Sequence, residues 1–117
     1  MDFYDIITEN YVYIDRTNFI EKCENYADTL FCVRPRRMGK TLWLDTLSNY
    51  YDIHKKEQFE KLFGHLYIGK NPTSNRNRYL IWRLDFSKIK ASPSIQNIMD
   101  DFEFYIYNSI KYFAEAY

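Results

Sequence analysis

The sequence predicts an α/β fold in which a parallel sheet is flanked by helices. Three observations predict it. Thr29-Leu30-Phe31-Cys32-Val33 is a short continuous apolar run, the pattern of a strand buried on both faces. Strand-like and helix-like segments alternate along the chain, as parallel sheets require. Gly39-Lys40-Thr41 falls between that apolar run and a helical pattern, where successive amides at a helix start converge on one point.

The elements follow in order. Residues 1–10 are mixed in character and form an N-terminal arm. Tyr11-Val12-Tyr13-Ile14 reads as a short strand. Asp15 caps a helix from Arg16 to Asn25, with Phe19, Ile20 and Cys23 on one face. The strand at residues 29–33 closes at Arg34, because a residue before proline is pushed towards extended geometry. A helix from Lys40 to Tyr51 turns Leu44, Leu47 and Tyr51 inward. Another spans Lys55 to Phe63, with Phe59, Leu62 and Phe63 apolar, and Gly64 stops it. Residues 69–78 hold Gly, Pro, Ser and Asn and form a loop. Tyr79 to Phe86 reads as a longer strand. Ser92 then caps a helix whose first residue is Pro93. Its apolar stripe is Ile95, Ile98, Met99, Phe102, Ile106, Ile110 and Phe113, matching a 3.6-residue period. That helix reaches Tyr117 without a glycine stop, so residues 1–117 read as one domain truncated at its C-terminus, the front portion of a larger sheet.

Bulk properties narrow the function. Lys plus Arg and Asp plus Glu both number 16, so no global field favours nucleic acid or membrane, and any anion site must be local. Twelve tyrosines in a chain that is 20% aromatic read first as packing residues with a polar tip. No signal-peptide pattern and no long apolar span is present, which points to a cytoplasmic protein without a membrane partner. Cys23 and Cys32 form neither a disulfide framework nor a metal-binding pair, and read as free thiols. His54 and His65 lie apart, with no ligand spacing around them.

The phosphate-binding reading rests on residues 34–41, Arg-Pro-Arg-Arg-Met-Gly-Lys-Thr. A Gly-Lys-Ser/Thr triplet alone arises by chance in roughly one chain of this length in twenty. Its setting adds weight. Gly39 lets backbone approach a phosphate, Lys40 reaches the terminal phosphates, and Thr41 places its hydroxyl on a magnesium ion. The amides from Arg36, Arg37 and Met38 to Lys40 cradle oxygens. The pattern G-x-x-x-x-G-K-[ST] would have glycine where this chain has Arg34. Arg34, Arg36, Arg37 and Lys40 crowd one turn, and two like charges about 6 Å apart repel by roughly 3 kcal/mol at an effective dielectric of 20. An anion at the turn relieves that repulsion. The expected ligands are therefore ATP and Mg2+. A nucleic-acid patch built from Arg34, Arg36, Arg37 and the loop cations Lys70, Arg76 and Arg78 is the competing reading. An inactive remnant is the third.

These segments resemble the AAA-ATPase-like domain family. Its members show "V-D-K-T-x-F-I" and then "R-P-R-R-F-G-K-[ST]-L". Here Ile14-Asp15-Arg16-Thr17 stands for the first, and Met38 replaces the phenylalanine of the second. Leu84-Asp85-Phe86-Ser87 is similar to a later "L-D-F-S". The resemblance covers most of residues 3–115. It implies a P-loop NTPase fold that binds ATP through residues 34–41. It also implies an acidic Walker B pair on a later strand and, in many members, an appended nuclease-like domain. Neither is found here, so hydrolysis by this chain is not expected. Asp85 is the one acid at a strand end that could hold magnesium. Its alternative role is to satisfy nearby loop amides.

Overall fold

In the computed structural model, which describes residues 2–26, 28, 39–89 and 91–117, every regular element is a helix. They are α1 (Phe3–Thr8), α2 (Asn18–Tyr26), α3 (Lys40–Tyr51), α4 (Phe59–Phe63), α5 (Tyr67–Lys70) and α6 (Ile95–Ala116), with 3-10 turns at Ile53–Gln58 and Phe86–Lys88. The chain divides into two compact units, Met1–Tyr79 and Leu80–Tyr117.

The expected parallel sheet, and with it the P-loop NTPase-like α/β class, is therefore corrected: no strand occurs among the described residues. Two of the expected strands show why. Around Tyr11–Ile14 the in–out alternation exists, with Tyr13 half-buried while Val12 is 95% and Ile14 70% exposed. Alternation alone does not make a strand; a ladder partner is needed, and none is formed among the described residues. Along residues 79–86 only Tyr79 is paired, in an isolated parallel bridge to Asp52. The next residues spend their polar groups on α6 side chains instead. The Ile81 amide donates to the Tyr117 hydroxyl at 3.1 Å and the Asp85 amide to the Tyr105 hydroxyl at 2.6 Å. The third expected strand, residues 29–33, lies outside the described residues.

Other bounds shift locally. The N-terminal arm is a helix, α1, because Asp2 accepts the Asp5 amide at 2.8 Å as its N-cap. α6 starts at Ile95 rather than Pro93, with Ser94 as the N-cap accepting the Asn97 amide at 3.3 Å. Only Phe59–Phe63 of the helix expected over Lys55 to Phe63 is α-helical; the residues before it make the 3-10 turn.

Phe63 is the hub of the first unit. It stacks on Phe3 at 4.9 Å and on Phe59 at 5.5 Å, and meets the edge of Tyr50 at 5.6 Å. Ile20, Leu62, Leu66 and Ile68 complete the buried cluster. Burying one such side chain contributes about 1.5–3 kcal/mol. Phe3, Tyr50, Phe59 and Phe63 thus act as packing, whereas many of the other tyrosines, among them Tyr11, Tyr26, Tyr107 and Tyr112, are exposed. Residues 71–79 are tied to the same core: the Thr73 amide donates to the Tyr50 hydroxyl at 2.8 Å, and Glu24 accepts from Thr73 at 3.1 Å and Asn75 at 2.7 Å. Tyr51 sits beside Glu24. Burial, and then the Glu24 charge, push its phenol well above the ordinary value.

In the second unit, α6 lays its stripe along residues 81–86. Phe113 meets Trp82 at 6.2 Å, Phe102 meets Phe86 at 5.9 Å, and the Trp82 indole donates to Ser109 at 3.3 Å. No α6 residue is fully buried.

Candidate functional site

The site begins at Gly39. Its backbone adopts φ 81°, the left-handed region that favours glycine, and it is the N-cap of α3. A Cβ built there would meet no atom of the described residues within 4 Å. As glycine has no side-chain oxygen, it cannot cap the first amides of α3 itself. Lys40 and Thr41 follow, both exposed, in the first turn. Twelve residues of helix stand behind them, so the start of α3 carries the positive end of a dipole.

Sequence places six residues at this site. The structure describes three of them, Gly39, Lys40 and Thr41, and brings them together at one helix start. Arg36, Arg37 and Met38, with Arg34, lie outside the described residues.

A cavity of about 240 Å³ opens beside Gly39. One wall is the segment holding Val12, Tyr13, Ile14 and Arg16; the other is Leu42, Trp43 and Thr46 of α3. The walls are pinned together. Tyr13 packs edge-on against Phe3 at 5.3 Å and lies beside Thr46. Burial raises the Tyr13 phenol above its ordinary value, against the opposing effect of Thr46, so it stays protonated at neutral pH. Sequence reading misses these wall residues when the inner face of α3 is drawn through Leu44, which is 44% exposed. The usable signal is the spacing of Gly39, Leu42, Trp43 and Thr46, the i, i+3, i+4, i+7 series of one helix face.

The Asp15–Thr17 segment does something else. The Asp15 carboxylate accepts the Thr17 amide at 2.9 Å, the Thr17 hydroxyl at 2.6 Å and, with its second oxygen, the Tyr67 amide at 2.8 Å. The Thr17 hydroxyl oxygen in turn accepts the Ile68 amide at 3.1 Å. Together they cap α5 from a distance and start α2 at Asn18, later than Arg16. Partial burial pushes the Asp15 carboxyl upward. The bonds from Thr17 and Tyr67 and the charge of His65 outweigh it and hold the group below the usual carboxylate range.

Asp85 also acts as a local cap, accepting the Ser87 amide at 3.0 Å and the Ser87 hydroxyl at 2.6 Å. No group of three or more His, Cys, Asp or Glu able to hold a metal occurs among the described residues. Two of the loop cations are engaged as well. The Arg76 guanidinium lies 4.1 Å from the Phe59 ring centre and Arg78 donates to the Ser74 carbonyl at 3.3 Å.

A family model described as a predicted AAA-ATPase matches residues 1–117. The chain belongs to the AAA-ATPase-like family. Membership implies the use of a nucleotide in general, and gives the helix start at Gly39 a chemical context. No curated protein and no solved structure matches the chain. No helix among the described residues is long and apolar enough to cross a membrane.

Proposed function

We propose that this AAA-ATPase-like chain binds ATP, with Mg2+, at the start of α3. The observation that carries the reading is Gly39: a left-handed N-cap whose missing Cβ would meet none of the described residues, followed by an exposed lysine and threonine. The fit to a polyphosphate is chemical. Lys40 offers a compact cation for the β- and γ-phosphates, and the α3 amides add donors backed by the helix dipole. The Thr41 hydroxyl is a hard oxygen, the donor type magnesium prefers. Bound magnesium would neutralise phosphate charge; what the chain itself supplies is binding and orientation. Arg36 and Arg37 extend the same basic turn in sequence, and one of them contacts phosphate in this reading.

The test is titration with fluorescent ATP in the presence of magnesium. Lys40→Ala should weaken binding by about 10- to 100-fold, equivalent to about 1.4–2.7 kcal/mol. Thr41→Ala should reduce the magnesium dependence. Equal affinity of wild type and Lys40→Ala removes the proposal. A nucleic-acid module would instead tolerate Thr41→Ala and lose affinity steeply with salt.

A further inference from the structure

Residues 80–86 of the second unit have the composition of a strand and lie extended. Asp85 has φ -129° and ψ 98°. Trp82 and Phe86 meet Phe113 and Phe102 of α6. Those two α6 residues lie about 16 Å apart along the helix at about 1.5 Å per residue, a span that only an extended segment approaches in so few residues. In an extended chain the backbone groups of alternate residues point to the same side. The Ile81 and Asp85 amides point at the hydroxyls of Tyr117 and Tyr105. The backbone groups of Leu80, Trp82 and Leu84 therefore point to the opposite edge, and none of them has a hydrogen-bond partner among the described residues. Side chains along the stretch are open too: Leu80 is 53%, Trp82 47% and Phe86 57% exposed. An extended, largely apolar edge of this kind is a template for another strand.

We infer that this edge takes the same segment of a second copy of the chain, antiparallel about a two-fold axis at Leu84. Charge selects both the occupant and the register. With the even-numbered positions hydrogen-bonded, the axis can pass at Trp82, Arg83, Leu84 or Asp85. At Arg83 or at Asp85 like charges meet, and at Trp82 the arginine faces Ile81. At Leu84, Arg83 of each copy faces Asp85 of the other, in the non-hydrogen-bonded pairs whose side chains come closest. The same register sets Trp82 against Phe86 of the second copy and covers the exposed part of both rings. Its backbone bonds come from the Leu84 pair and from each Phe86 amide to the opposing Trp82 carbonyl. The Phe86 carbonyl already accepts the Ile89 amide at 3.1 Å, which ends the ladder. A lone two-stranded ribbon is marginal, but each strand here is backed by its own α6.

Sedimentation equilibrium of the full chain over about 1–100 µM should show monomer and dimer in equilibrium, as suits a small interface. Arg83→Glu alone and Asp85→Lys alone each set like charges opposite one another, and each should weaken dimerisation by at least about 10-fold. Mixed in equal amounts, the two variants again oppose unlike charges and should restore the dimer. A wild type that stays monomeric across the range overturns the proposal. So does a dimer indifferent to either change, or a mixture of folded variants that stays monomeric. Asp85 also caps Ser87, so a cross-link decides should Asp85→Lys perturb the thermal melt. In a Cys23→Ser, Cys32→Ser background, Leu84→Cys meets itself across the axis at about 5.5 Å between Cα atoms, a separation that a disulfide spans. With oxidised glutathione it should form a covalent dimer at least about 10-fold faster than Leu80→Cys, which does not meet itself in this register. Equal rates overturn the pairing.

Discussion

Two helices of the first unit begin in opposite ways. α5 has its opening amides taken by the chain itself: Tyr67 donates to the Asp15 carboxylate and Ile68 to the Thr17 hydroxyl. α3 begins at a glycine that brings no side chain, with no side-chain cap and with a lysine as its first residue. An internal anion closes one start. Under the proposed reading, an external anion closes the other. The difference separates the two sequence segments that looked equally motif-like. Ile14-Asp15-Arg16-Thr17 builds the scaffold, and Gly39-Lys40-Thr41, under the proposed reading, faces a ligand.

The strongest way to break the comparison is to open the closed start. Asp15→Ala removes the acceptor for three donors, two of them backbone amides. An unsatisfied donor costs about 1–3 kcal/mol and a lost cap about 1 kcal/mol. Water can reach this exposed site and recover part of that, so the expected loss is about 2 kcal/mol in urea denaturation. ATP binding should survive in conditions where the variant remains folded. A stable Asp15→Ala protein that no longer binds ATP would reverse the assignment of scaffold and site.

A smaller effect is expected at the open start. In Gly39→Ala the added Cβ meets no atom of the described residues, so the expected cost is conformational. Holding an L-residue at φ 81° costs about 1 kcal/mol. Denaturation should show that loss, below the loss for Asp15→Ala. A loss larger than that would mean the turn is packed rather than open.

What could be read from sequence tracks how local each cause is. The bounds of α3, Lys40 to Tyr51, follow from glycine before and helical spacing after, both within the element. That Gly39, Lys40 and Thr41 stand together at a helix start was legible for the same reason. The α5 cap was not, because its acceptor lies 52 residues away in sequence. Nor was the cavity, which exists only once the segment bearing Tyr13 is docked on Thr46. The strands failed for a related reason. Residues 79–86 have the β-branched and aromatic content of a strand, yet the hydroxyls of Tyr117, the C-cap of α6, and of Tyr105 within it take the Ile81 and Asp85 amides. Tyr11–Ile14 alternates correctly but stands with Val12 and Ile14 in solvent.

The subtlest test uses pH, since only the closed start depends on a titrating cap. The Asp15 carboxyl sits below the usual carboxylate value in the folded chain. A depressed carboxyl contributes stability that is complete above its unfolded pKa, about 3.9, and is lost as pH falls through the folded value. Asp15→Asn keeps an oxygen acceptor but no charge, so it isolates the electrostatic part. Because the group is largely exposed, screening limits that part to under about 1 kcal/mol. Denaturation midpoints at pH 7 should favour wild type over Asp15→Asn by that amount, and by progressively less as pH drops below about 4. A gap that stays constant across this range would mean that the two amides need only an oxygen. The closed start would then owe nothing to charge, and the electrostatic kinship drawn between an internal carboxylate at α5 and a phosphate at α3 would lose its basis.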